Sequence, residues 1–286
     1  MNGYVIYTDS SADLSRATAE AWGVKYSSLT FRFDGGEEYS NDDMPIGDFY
    51  GKMRDGAVAK TAAVNTEKFY EAFENILKEG KDLIYVGFSS GLSSTYSAGM
   101  LAAKDLAGKY PERKIYTVDT LAASAGIALL ISYMLDMKAN GKAIEEVRDF
   151  AEKYKLNVCH WFTVDDLVYL KRGGRVSPTV AFVGNLLGIK PVLHVDNEGH
   201  LTNVTKARGR RASLMALADK LGETMLEGHD KVFISHSDCL EDAKLLASII
   251  KMKYQKDVSL ITDVGPVIGA HSGPGTMALF FMGRER

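Results

Sequence analysis

The sequence predicts an α/β protein of two domains, residues 1–156 and 157–286, with parallel-rich sheets flanked by helices. Short β-branched or aromatic runs alternate with longer helical ones along the whole chain, the pattern of strand–helix–strand units. A chain of 286 residues stands at the upper limit for one hydrophobic core, which leaves room for one large or two medium domains. Ser, Thr, Asp and His gather just after predicted strands, where open α/β sheets bind ligands.

The first half opens with a strand at Tyr4 to Thr8 and an amphipathic helix from about Leu14 to Trp22. Lys25 to Phe33 and Glu37 to Tyr39 read as a hairpin, because Asp34-Gly35-Gly36 is a strong turn signal. Helices are expected at Ile46 to Arg54 and Thr66 to Leu77, with Thr61 in the loop between them. A strand at Asp82 to Phe88, a helix from Ser93 to Leu106 and a strand at Lys114 to Asp119 follow. Two helices, Leu121 to Met137 and Ala143 to Tyr154, close this half.

The second half begins with the strand Asn157 to Phe162, a Gly-rich linker over Lys171 to Arg175 and an apolar helix at Thr179 to Leu187. Strands at Ile189 to Val195 and Leu201 to Lys206 flank the turn Asp196-Asn197-Glu198-Gly199. The helix Gly209 to Leu226, strand Lys231 to Ser235, helix Leu240 to Tyr254 and strand Val258 to Thr262 come next. A Gly/Pro-rich stretch, Gly265 to Gly275, precedes the last strand, Thr276 to Met282.

Composition narrows the function. Hydrophobic residues make up 46% and charged residues 25%, as in folded globular chains. A net charge of −3 offers no basic surplus for a phosphate backbone. Cys159 and Cys239 lie far apart without metal-ligand spacing and read as reduced thiols. Leu121 to Met137 is too short and too polar to span a bilayer, so the expectation is a cytoplasmic protein without stable membrane insertion.

Candidate chemistry is thin. Ser93, Asp119 and His271 occur in the chain order of an α/β-hydrolase triad, which makes a stand-alone esterase or thioesterase the enzyme alternative. Yet Gly91-Leu92-Ser93-Ser94-Thr95 lacks the second glycine of the nucleophile elbow. There is no GxxxxGK[ST] phosphate loop and no GxGxxG opening a helix. Asp42-Asp43 and Asp165-Asp166 have no His at ligand spacing and read as charges at helix N-termini. No metal or cofactor is expected. Hydroxyls at Thr61 and Ser93, with His271 embedded among Gly269, Gly273, Pro274 and Gly275, would suit one carboxylate.

Seven segments in order carry a resemblance: Thr8 to Leu14, Ser89 to Tyr96, Val118 to Thr120, Leu170 to Ser177, Gly188 to Leu193, Lys206 to Gly209 and Gly265 to Gly275. Over nearly its whole length the chain resembles the DegV family, whose members include the fatty-acid-binding subunit of bacterial fatty acid kinase. The resemblance implies a ligand-binding subunit, not an enzyme, that holds a long-chain fatty acid between the domains. Its tail would be buried and its carboxylate bound by Thr61 and Ser93, with His271 nearby and Ser89, Ser90 and Thr95 as further candidates. Arg208, and with it Arg175, would stand at the site mouth or dock the partner, a separate ATP-using kinase subunit. The chain departs from the family at Ala62, where a serine is usual, and at Ser94, where a glycine is usual. A role through protein contacts alone is the third reading.

Overall fold

The computed structural model describes residues 3–175 and 188–286. The helix expected at Thr179 to Leu187 lies outside the described residues.

In chain order the first half consists of β1 (Tyr4–Asp9), α1 (Arg16–Trp22), β2 (Lys25–Ser27), β3 (Thr30–Phe33), β4 (Glu38–Ser40), α2 (Ile46–Arg54) and β5 (Ala59–Ala62). It continues with α3 (Thr66–Lys78), β6 (Asp82–Gly87), α4 (Thr95–Lys109), β7 (Ile115–Asp119), α5 (Ala125–Ala139) and α6 (Ile144–Tyr154). The second half holds β8 (Val158–Thr163), α7 (Val168–Gly173), β9 (Ile189–Val195), β10 (Leu201–Arg208), α8 (Arg210–Thr224) and β11 (Val232–His236). It ends with α9 (Leu240–Tyr254), β12 (Leu260–Asp263), α10 (Pro266–Ser272) and β13 (Met277–Met282).

Among the described residues three sheets form. The first, β2-β1-β6-β7, is parallel throughout, as expected. Its central strand β6 is an uninterrupted apolar run because helices cover both faces. The second sheet, β10-β9-β8-β13-β11-β12, departs from the expectation, since only β11 and β12 run parallel in it. The third is a small antiparallel sheet, β4-β3-β5.

Local chemistry explains the remaining differences. The run Lys25 to Phe33 breaks at Ser28-Leu29, where Leu29 turns inward and its N–H donates to Ser10 Oγ at 3.0 Å. β2 therefore joins the first sheet and β3 the small one. Thr61 is not in a loop: it sits on β5, opposite Phe31 of β3. The first helix begins at Arg16 because Ser15 caps it, its Oγ accepting from Thr18 N at 3.1 Å. α5 begins at Ala125 because Leu121 and Ser124 adopt left-handed backbone, φ +51° and +54°. The expected linker at Lys171 is instead the end of α7, closed by Gly174. The Gly/Pro stretch contains α10, which accepts Pro266 in its first turn, where no N–H is needed.

Candidate ligand-binding site

Strand alternation sets the site. In β8, β11 and β13 the residues Cys159, Trp161, Val232, Ile234, Met277, Leu279 and Phe281 pack against α8 and α9. The intervening residues His160, Phe162, Ser235, Ala278 and Phe280 face the other way and line a cavity of about 230 Å³. One water needs about 10–15 Å³, so a chain of many heavy atoms has room. The walls are mostly hydrocarbon, with Leu29, Phe88, Leu92, Leu170, Val195, Leu201, Val264, Val267 and Ile268 completing them.

Polar side chains interrupt this lining, most of them in two groups, with Ser94, Ser272 and Thr276 besides. At the first, Thr61 Oγ1 and His271 Nε2 are 2.8 Å apart, joining β5 to the last turn of α10. The other ring nitrogen, Nδ1, lies against Gly173, where a Cβ would come within 2.2 Å; only glycine admits the ring there. Arg175 also lines the cavity, its Nη1 donating to Gly173 O at 2.6 Å and its Nε to Leu92 O at 3.3 Å. A guanidinium at this wall was not foreseen by the carboxylate argument, which rested on hydroxyls and imidazole. Ser93, next to Leu92, accepts from Thr95 N at 3.2 Å and lies 2.9 Å from Thr95 Oγ1. It precedes α4 by two residues instead of starting it.

The second group is Ser124, His160 and Ser235. Ser124 Oγ donates to Asp13 Oδ2 at 2.5 Å and lies 2.9 Å from Ser235 Oγ, while Ala123 N donates to His160 Nε2 at 3.4 Å. Gly265 N holds the other Asp13 oxygen at 2.9 Å. Burial pushes the Asp13 carboxyl well above its ordinary range and His160 well below its own. The sequence reading missed this group because His160 hides in the apolar run VCHWFT and Ser235 in VFISH.

Of the expected site residues, Thr61, Ser93, His271 and Arg175 line the cavity. Ser89 is buried and donates to Gly199 O at 2.9 Å; Ser90 is exposed, and its N–H donates to Asp119 Oδ1 at 3.2 Å. Thr95 stands behind Ser93, and exposed Arg208 ends β10 opposite Ile189, away from the cavity wall. Ala62 and Ser94, the two departures, are both on the wall. Most other strand-end clusters serve the backbone. Asp9 accepts from Ser11 N, Tyr85 OH and Phe88 N. The hydrolase trio is not assembled, since Asp119 accepts from Ser90 and Leu121 N–H while the His271 nitrogens meet Thr61 and Gly173. Asp165, read as a helix-end charge, pairs with Lys190 at 2.6 Å.

Burial, then the nearby charge of Arg175, lowers His271 from 6.5 to about 4, so its ring is neutral at pH 7. Between those two pH values the unfolded chain binds the proton and the fold does not. This contribution is fully present above about pH 6.5, is lost as pH falls through about 4, and is worth up to about 3 kcal/mol. His160, His194 and His236 are displaced in the same direction, each chiefly by burial. His271→Asn is expected to flatten the fall of Tm between pH 6.5 and 4.5; an equally steep fall would mean the ring protonates in place at no cost.

Fold and site together define an α/β protein whose sheets surround an apolar cavity with hydroxyl and imidazole groups at its wall. The chain belongs to the DegV family: the family model described as "Uncharacterised protein, DegV family" matches residues 4–284. A DegV domain-containing protein of Clostridium perfringens is 43% identical over 286 residues, covering 99% of this chain and 98% of that one. A Thermotoga maritima protein named fatty acid-binding protein is 34% identical over 279 residues, 95% of each chain. The crystal structure of a DegV lipid-binding protein from Thermotoga maritima matches with a TM-score of 0.86 at 31% identity, over 99% of both chains. Among the described residues no helix is long and apolar enough to cross a membrane.

Proposed function

We propose that this protein binds one long-chain fatty acid in the cavity and presents its carboxylate to a separate ATP-using kinase for acyl-phosphate formation. The observation that carries the reading is the convergence of Thr61, Ser93, His271 and Arg175 on the wall of a mostly hydrocarbon cavity. In this reading residues 1–156 and 157–286 are two domains with the ligand between them; the names of the relatives support only the binding of a lipid or fatty acid.

Proton accounting favours a carboxylate. A carboxylate only accepts, so Thr61 and Ser93 must each donate to it. Neutral His271 then carries its proton on Nε2 and donates to Thr61 Oγ1, leaving Nδ1 bare against Gly173, where it has no partner among the described residues. Thr95 likewise donates to Ser93 Oγ. Both head-group hydroxyls are thus oriented from behind. The tail supplies affinity, at about 0.8 kcal/mol per methylene, or on the order of 12 kcal/mol for about fifteen before ordering costs.

The separate kinase is what the resemblance to the family implies, and the lack of a phosphate-loop motif in the sequence agrees with it. In a reconstituted mixture with ATP and a fatty acid kinase, acyl phosphate is expected from acid-loaded protein. Arg208→Ala is expected to leave acid affinity unchanged and to slow phosphorylation about tenfold, as loss of a docking charge does. Equal loss of both would place Arg208 in the binding step, and no acyl phosphate from loaded protein would remove the presenting role.

A further inference from the structure

The Arg286 side chain meets five backbone carbonyls. Nε donates to Val158 O at 3.1 Å, Nη1 to Leu121 O at 2.7 Å and Asp196 O at 3.0 Å, and Nη2 to Thr120 O at 3.4 Å and Lys155 O at 2.6 Å. A guanidinium has five N–H donors, so each is matched. The carbonyls come from three places: the β7–α5 loop, the residues leading into and starting β8, and the β9–β10 turn.

Two of these places carry cavity wall. The β7–α5 loop presents Ala123 and Ser124, and its left-handed Leu121 and Ser124 need outside support to keep that conformation. The β9–β10 turn is flanked by Val195 and Leu201, which line the cavity. Asp196 Oδ1 pre-forms the turn by accepting from Glu198 N and His200 N, both at 2.9 Å. Among the described residues β9 faces β8 at only two register positions, Trp161–His194 and Phe162–Leu193. The turn therefore depends on its own anchors, Arg286 on one side and Ser89, donating to Gly199 O, on the other.

We infer that Arg286 is a positioning residue that sets acyl-length selectivity by fixing the spacing between the β7–α5 loop and the β9–β10 turn. This rests on the fatty-acid reading above. While the tail fits, each added methylene should tighten binding about fourfold; the first that meets a fixed wall should reverse the trend. The wild-type profile over saturated acids is thus a peak, and a wall released from Arg286 turns it into a plateau or a continued climb.

Dissociation constants for saturated acids of increasing length, measured on the full chain, test this with Arg286→Ala, Arg286→Lys and Ser89→Ala. Arg286→Ala is expected to erase the fall beyond the optimum, and Arg286→Lys, with at most three donors, to blunt it. Ser89→Ala tests the second anchor and should blunt it too. A peak at the same length in every variant, however much weaker, overturns the inference, as does a wild-type profile without a peak or unfolding of all three variants. If the wild-type protein binds no acid of any length, the fatty-acid reading itself has failed.

Discussion

Ala278→Trp is expected to weaken fatty-acid binding about 100-fold or more while leaving the protein folded. Ala278 is on β13 between Phe162 of β8 and Ser235 of β11, and all three line the cavity. An indole placed there fills existing space, so the overpacking cost of a close-packed core does not apply in full. A tail barred from about four methylenes of burial loses about 3 kcal/mol, close to 100-fold. Titration with a fluorescent fatty acid reads the loss, and thermal unfolding checks the fold. Undiminished affinity would mean that the tail does not occupy this cavity.

Thr61→Val with Ser93→Ala carries the second large effect. Valine keeps the shape of threonine and removes the hydroxyl, so the change is one of hydrogen bonding. A hydrogen bond to a charged group contributes about 1.5–3 kcal/mol, so each change costs about 10- to 100-fold and the pair about 100-fold or more. The corresponding methyl ester, which carries no charge, should lose much less. The preference for acid over ester therefore collapses. An unchanged preference in the double variant would move the carboxylate away from Thr61 and Ser93.

Much of the frame was legible because it rests on local chemistry. Leu240–Tyr254 matches its predicted bounds, and α3 shows Phe69, Phe73, Ile76 and Leu77 buried at helical spacing behind the Asn65 cap. β5 was not legible. Ala59-Lys60-Thr61-Ala62 has no strand preference of its own, and its pairing comes from distant β3. The antiparallel second sheet was hidden for a different reason. Both of its faces are buried around β8, β11 and β13, so VCHWFT, VFISH and MALFFM read as plain apolar runs without alternation.

The site divides the same way. Thr61, Ser93 and His271 were named from their residue types and surroundings and again from the resemblance, yet their approach depends on a short strand, a strand-end loop and a helix from three parts of the chain. The sequence reading has Gly269, Gly273 and Gly275 hold the His271 ring, but those glycines admit Tyr50, Tyr169 and Asp165, and the glycine that admits the ring is Gly173, about a hundred residues earlier. Arg286 gave no signal, since an arginine in a charged run after a strand, Arg284-Glu285-Arg286, reads as a solvated charge.

Organic extraction of the purified protein, quantified by mass spectrometry against protein concentration, is the most direct measurement. A fatty acid should emerge at close to one molecule per chain, and nearly none from Ala278→Trp. A wild-type protein that is empty on isolation and takes up no acid when offered one would contradict the account.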